Sequence, residues 1–134
     1  MNLKKILLAP IGLALSTVGC TSTYYMGATS FNYGLSYKMT NVTIGGQTIG
    51  QGGGGMATVP IKVGIQDMVW SDAHTGEVHK AKNQIIITKK QLKGKKYIAA
   101  HVYQGDIVEI TTSNDWPSPT ERGEQIIKER NKSQ

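Results

Sequence analysis

The single cysteine of this chain, Cys20, limits both how much of the chain folds and what can stabilise it. A basic start with Lys4 and Lys5 precedes an apolar stretch at residues 6–15, and small residues then lead into the cysteine. This order is typical of a secretory signal peptide, and the apolar stretch is well short of the ~20 residues of a membrane-spanning helix. A cysteine just after the cut predicts a lipoprotein signal. We therefore expect residues 1–19 to be removed and Cys20 to carry a lipid that anchors the protein in a membrane.

The expected lipid anchor indicates the cellular location of the protein and the source of its stability. Thr21, rather than aspartate, follows the cysteine, which in Gram-negative lipoproteins is typical of the outer membrane, and we expect a domain facing the periplasm. Removal of 19 of the 134 residues leaves 115, enough for one domain with a core. We expect a lipidated tether at residues 20–26 and a single β-rich domain at 27–134. Lipidation of Cys20 leaves no thiol for a disulfide, so packing must supply the stability.

Alternating apolar and polar residues predict strands over most of residues 27–113. Leu35, Tyr37 and Met39 alternate, and Val42 and Ile44 then continue in the opposite phase, which indicates a β-bulge. The clearest hairpin joins residues 97–103 to a strand that begins at residue 107. The pattern predicts an all-β fold, a small antiparallel β-sandwich or barrel.

One short C-terminal helix completes the predicted fold. Ser118, Pro119 and Glu121 have the order of an N-cap, a first-turn proline and a capping-box glutamate. The apolar residues of this segment are Ile126 and Ile127 alone, so we expect the helix to dock weakly and to fray by Lys132.

Seven lysines fall within residues 80–96, with no arginine among them. Surfaces that bind nucleic acid usually combine lysine with arginine and aromatic residues, so we expect no nucleic-acid partner. The favoured interpretation places these lysines on solvent-facing positions of strands. The alternative is contact with an acidic partner protein or an anionic lipid surface.

Seven glycines lie within residues 45–55. Gly50, Gly52 and Gly55 match the spacing of a dinucleotide-binding loop, but such a loop requires a helix at its end, and the residues that follow are typical of a strand. We interpret the segment as a long turn. Its second half also forms a candidate adaptable contact surface, made of Gly52, Gly53, Gly54 and Gly55.

The sequence contains no strong catalytic or metal-binding motif. His74, Glu77 and His79 are the nearest approach to a metal cluster, but Gly76 among polar residues is typical of a hairpin turn. His101 lies in a strand between tyrosines and is expected to be packed. We therefore expect no enzymatic activity, no metal and no cofactor.

A resemblance covers most of the chain after the signal. It is carried by Phe31-Asn32-Tyr33, Val42 to Gly46, Gly52-Gly53-Gly54-Gly55, Val59-Pro60, Val63 to Trp70, Ile98 to Tyr103 and Ser113 to Pro117. These motifs resemble an uncharacterised family of small Gram-negative lipoproteins with a tetraglycine motif, often encoded beside type VI secretion lipase effectors. Family members often carry a Cys-Cys pair after the glycines, where this chain has residues such as Ala57 and Thr58.

The resemblance implies an immunity protein: a periplasmic lipoprotein that binds and blocks a type VI secretion phospholipase or a similar toxin. The candidate partner-binding residues are the four glycines at 52–55, Trp70 and Trp116, although the position of Trp70 at the end of an alternating strand favours a core residue. Tyr24 and Tyr25 are further candidate anchors. The alternatives are a structural or assembly lipoprotein of the envelope without a toxin partner, and an enzyme or small-ligand binder.

Overall fold

The computed structural model describes residues 22–50 and 55–133. The signal peptide, Cys20 and three of the candidate contact residues, Gly52, Gly53 and Gly54, lie outside the described residues. The predictions made for them stay predictions.

Strands dominate the described residues. In chain order they are β1 Thr23–Tyr33, β2 Met39–Ile44, β3 Gln47–Thr48, β4 Ala57–Lys62, β5 Gly64–Gln66, β6 Met68–Asp72, β7 Val78–Lys80, β8 Ile85–Ile87, β9 Tyr97–Tyr103 and β10 Ile107–Ser113. A short helix α1, Lys89–Leu92, lies between β8 and β9, and helix α2, Glu121–Lys132, follows β10. The prediction of an all-β fold with one short C-terminal helix is confirmed, and α1 is an addition that the sequence analysis did not predict.

The first sheet has four strands in the order β10-β9-β1-β4. β1 pairs with β4 and β10 pairs with β9 in antiparallel fashion, whereas β1 and β9 are parallel, from Gly27 opposite Tyr97 to Tyr33 opposite Tyr103. Because β1 and β9 start at the same end of the sheet, Thr23, Tyr97, Ser113 and Lys62 all lie toward that end. We call it the N-terminal end, and the edge formed by Tyr33, Tyr103 and the β9–β10 turn is the distal end.

The second sheet has the order β3-β2-β6-β7, and β5 and β8 form a separate two-stranded ribbon. The register of β2 on β6 shifts between Thr40 and Thr43, and Asn41 at this point has a φ of 50°. The bulge predicted from the change of phase is thereby confirmed.

The two sheets share one hydrophobic core. Ala28, Ile98 and Val102 contribute from the first sheet, and Val42 and Trp70 from the second. Since side chains alternate across a strand, Tyr33, His101 and Tyr103 point to the opposite face of the first sheet, which we call the outer face. Leu92 anchors α1 in the shared core.

Two boundaries differ from the predictions. The predicted tether at residues 20–26 is too long, because β1 begins at Thr23 and Met26 is already buried. Helix α2 is capped by Thr120 rather than by Ser118, and the Thr120 side chain accepts a hydrogen bond from the amide of Gly123. Within the described residues, no helix has the length and apolar character needed to cross a membrane.

Candidate partner-binding site

His101 is fully buried on the outer face of the first sheet, as expected for a packed histidine. Its Nδ1 lies 2.8 Å from the Tyr33 hydroxyl, and its Nε2 lies 2.8 Å from the Thr111 hydroxyl. The Thr120 amide donates to the Tyr33 oxygen at 3.3 Å, which leaves the Tyr33 proton to be donated to Nδ1. This pattern assigns the neutral histidine protonated at Nε2. Burial lowers the pKa of His101 and favours the same neutral form.

Tyr103 extends this polar network toward the helix. Its hydroxyl donates to Glu109 Oε1 at 2.9 Å and lies 2.6 Å from the Thr120 hydroxyl. Burial raises the pKa of Tyr103, and it raises the pKa of Tyr33 to about 12, so both phenols remain protonated donors. The network ties the N-cap of α2 to three strands of the first sheet.

Helix α2 lies against the outer face at the distal end. Gly123 is its buried residue, and it faces the ring of Tyr33 so closely that there is no room for a side chain. Arg122 stacks over Tyr103, with the guanidinium carbon 4.2 Å from the ring centroid, a cation–π arrangement. The helix is therefore held at its first turn by a cap, a close contact and a stacked arginine.

A groove opens beside α2 at the distal end. Its first part has a volume of about 530 Å³, and its second part, about 440 Å³, shares Leu35 and Arg130 with the first. Gly34, Tyr103, Gln104, Arg122, Ile126, Glu129 and Ser133 complete the first part, and Asn32, Ser36, Tyr37, Lys38, Asp72 and His74 complete the second. Leu35 and Ile126 supply apolar surface, and Arg122, Arg130 and Glu129 supply charges of both signs, so the groove can receive a protein segment with apolar and charged side chains.

The structure places the predicted contact residues apart from this groove. Trp70 is fully buried, and its indole N–H donates to the Tyr37 hydroxyl at 2.7 Å, so its assignment as a partner-binding residue is wrong: it is a core residue. Trp116 is 66% exposed, but it packs edge-on against Tyr97 at the N-terminal end. Gly55 is exposed, and its carbonyl accepts a hydrogen bond from Thr29.

The histidines near residue 76 do not converge on one point. His79 stacks on Tyr37 and lies 3.3 Å from a carboxylate oxygen of Asp106, while the backbone of His74 binds the Asp72 side chain in the β6–β7 turn. Among residues 22–50 and 55–133, no group of three histidine, aspartate, glutamate or cysteine side chains is arranged to hold a metal ion.

Sequence reasoning missed the groove because its residues come from three distant segments. Leu35 follows β1, Gln104 lies in the β9–β10 turn, and Arg130 lies near the end of α2. One signal was present: a glycine inside a predicted helix, Gly123, indicates close approach to another element. It would have predicted firm docking of the helix, which in turn creates the groove.

Comparisons with known proteins identify no relative. No protein-family model, no curated protein and no solved structure matches this chain.

Proposed function

We propose that this protein is a lipid-anchored periplasmic binding protein of the outer membrane, and that it acts as an immunity protein. It binds a type VI secretion phospholipase or a similar toxin and blocks it by steric contact. The lipid on Cys20 holds the domain at the membrane that such a toxin attacks. The protein itself carries out no chemistry.

The groove beside α2 is the observation that carries this proposal. It lies at the distal end, opposite the end from which the chain leads back to Cys20, so an anchored domain presents it away from the membrane. Its walls are held by the buried network of Tyr33, His101 and Tyr103. A preformed groove lowers the entropy cost of binding a partner.

The arrangement around His101 favours binding over catalysis. Both ring nitrogens are engaged by protein hydroxyls, and the ring packs beside two aromatic rings, with centroids 5.2 Å from Phe31 and 5.9 Å from Tyr33. A general base requires a nitrogen that can reach a substrate proton. His101 therefore supports the groove and does not react in it.

A capture experiment tests the proposal. A soluble form with Cys20→Ser and a standard cleavable signal is expressed in the native cells, with an affinity tag at its N-terminus because Ser133 lines the groove. Co-purifying proteins are identified by mass spectrometry. We expect one stoichiometric partner, an effector with envelope-directed activity. Recovery of envelope machinery alone, or of nothing, would favour the structural or assembly role.

Two charge reversals on the same helix locate the contact. Arg130 lines both parts of the groove, whereas Lys128, two residues earlier and also exposed, lines neither. We expect Arg130→Glu to weaken partner binding at least about ten-fold, as for a contact residue at the centre of an interface. Lys128→Glu should change the affinity by less than about three-fold. Equal effects of the two substitutions would contradict the assignment of the groove.

A further inference from the structure

We propose that the N-terminal end of the domain docks on an anionic phospholipid surface, so that the protein rests on the membrane in a fixed orientation. This inference rests on the proposed lipid anchor and adds a second membrane contact made by the folded domain. We call the docking face the anchor-side surface. It is formed by Tyr25, Lys62, Lys95, Lys96 and Trp116.

Exposed aromatic side chains gather on this surface. A Cβ on Gly27 would lie 2.9 Å from the ring of Tyr97, so both residues share the outer face, and Tyr25, two residues earlier in β1, shares it too. Trp116 packs edge-on against Tyr97 at 5.7 Å between ring centroids. Tyr25 is 76% exposed and Trp116 is 66% exposed. Tyrosine and tryptophan are the residues that favour the interface between lipid and water.

Lysines surround these aromatic residues. Lys62 lies opposite Thr23 in the pairing of β4 with β1, and the amide of Gly27 donates to the carbonyl of Lys96 at 2.9 Å. Residues 93–96 connect α1 to the start of β9, so Lys93 and Lys95 lie at the same end. Lys89 and Lys90 lie in α1, directly after β8. Because Ile87 of β8 pairs with Gly64, two residues after Lys62, these two lysines also lie at the N-terminal end. All six lysines are exposed.

Little negative charge opposes these lysines. The segments that form the N-terminal end are residues 22–25, 60–63, 88–97 and 113–116, and their only acidic residue is Asp115. Within the described residues, none of the six lysines belongs to an ion pair; the lysine that does is Lys80, with Asp67. Clustered unpaired lysines beside a membrane anchor are complementary to anionic headgroups.

The length of chain between the anchor and the fold brings this surface to the membrane. β1 begins at Thr23, three residues after Cys20. Three residues span at most about 11 Å even when fully extended. This reach is close to the Debye length of ~8 Å at physiological ionic strength, so Lys62, opposite Thr23, lies within the field of an anionic surface. Lys96, at the level of Gly27 about 13 Å further along β1, comes within that field when the domain tilts toward the membrane. A tether extending to residue 26 would have allowed the domain to stand further away.

Trp116 supplies an intrinsic probe, because the other tryptophan, Trp70, is fully buried in the core. The lipidated full-length product is purified and reconstituted into vesicles of phosphatidylethanolamine and phosphatidylglycerol that contain brominated phospholipid, a contact quencher. Comparison with Trp116→Phe isolates the signal of Trp116. In the anionic vesicles we expect the fluorescence of Trp116 to be quenched strongly and that of Trp70 only a little. In neutral phosphatidylcholine vesicles the quenching of Trp116 should be at least about three-fold weaker than in the anionic vesicles.

Matched triple variants test the role of charge. Lys62→Glu, Lys95→Glu and Lys96→Glu together should abolish most of the quenching, since each lysine near an anionic surface changes partitioning about five-fold. Lys82→Glu, Lys128→Glu and Lys132→Glu, which reverse exposed lysines outside both the N-terminal end and the lining of the groove, should leave the quenching unchanged. High salt should mimic the first triple variant by shortening the Debye length to ~3 Å at 1 M.

Vesicle flotation separates this proposal from the proposed anchor. A protein that floats with neutral and anionic vesicles alike, but whose Trp116 is not quenched, is anchored and does not dock, which would overturn the inference. A protein that fails to float with neutral vesicles lacks the anchor. If such a protein still floats with anionic vesicles and its Trp116 is quenched there, the result supports docking. If it floats with neither kind of vesicle, the docking inference is overturned.

Discussion

At the scale of single residues, His101 links the stability of the folded protein to pH. It is fully buried, its pKa is lowered by burial, and it is neutral in the folded protein. In the unfolded chain a histidine binds a proton near pH 6.5. Below that pH the unfolded state holds more protons than the folded state at this position, so protonation favours unfolding. The contribution of His101 to stability is therefore complete at neutral pH and decreases as the pH falls through about 6.5.

We expect the free energy of unfolding, measured with urea, to be lower at pH 5.5 than at pH 7.5. The decrease is at most about 1.4 kcal/mol for each pH unit that lies between the pKa of His101 in the unfolded chain and its lower pKa in the folded protein. His101→Gln should reduce this difference, although it destabilises the protein at both pH values by about 1–3 kcal/mol through lost hydrogen bonds. His74→Gln, at an exposed position, is the control for the substitution itself and should change the free energy of unfolding at pH 7.5 by less than about 0.5 kcal/mol. The same pH dependence in His101→Gln as in wild type would show that another group is responsible.

The two tryptophans show what the sequence can predict about a single residue. Trp70 ends an alternating strand, and alternation alone does not decide whether its side chain lies in the core or on a contact surface. Its burial and its hydrogen bond to Tyr37 place it in the core. Trp116 precedes a proline in an irregular segment, where no periodicity assigns a face. Its position depends on how residues 114–120 return along the outer face, from Ser113 at the N-terminal end to Thr120 at the distal end.

At the scale of elements, the local features were predictable and the pairing of distant strands was not. The β9–β10 hairpin and the bulge in β2 depend on neighbouring residues, and both are confirmed. The parallel pairing of β1 with β9 joins residues about seventy positions apart, for which the chain carries no local signal. This pairing places β1 at the centre of the first sheet and separates the molecule into two chemically different ends.

The docking of α2 depends on Gly123. A Cβ at this position would stand 2.8 Å from Tyr33 Cδ1, with Cε1 and Cζ of the same ring closer still. In an open helix, replacing glycine with alanine stabilises by about 1 kcal/mol. Here we expect Gly123→Ala to destabilise the protein by about 1–3 kcal/mol, because the helix must move off the outer face.

Chemical denaturation measures this effect, and Asn131→Ala, at an exposed position of the same helix, should change stability by less than about 0.5 kcal/mol. A Gly123→Ala protein at least as stable as wild type would mean that α2 does not pack closely on Tyr33. The prediction of weak docking rested on Ile126 and Ile127, the apolar residues of the helix, and Ile127 is indeed 41% exposed. The helix is docked instead by Gly123, by its N-cap and by Arg122.

At the scale of the whole molecule, charge and shape differ between the two ends. The N-terminal end, where β1 begins three residues after Cys20, carries exposed lysines and aromatic residues, and the distal end carries the groove beside α2. The lysine run is visible in the sequence, and its less favoured interpretation is contact with an acidic partner protein or an anionic lipid surface. The groove is not visible in the sequence, because it forms only when α2 packs on the outer face of the first sheet.

The central claim is that this protein neutralises a toxin at the membrane, and survival of cells exposed to that toxin tests it most directly. The partner recovered by capture is exported alone to the periplasm of a test strain, and growth is compared with and without this protein. We expect the partner alone to arrest growth, wild type and Lys128→Glu to restore it, and Arg130→Glu to protect poorly. A partner that is harmless alone, or that kills equally in the presence of this protein, would contradict the immunity function.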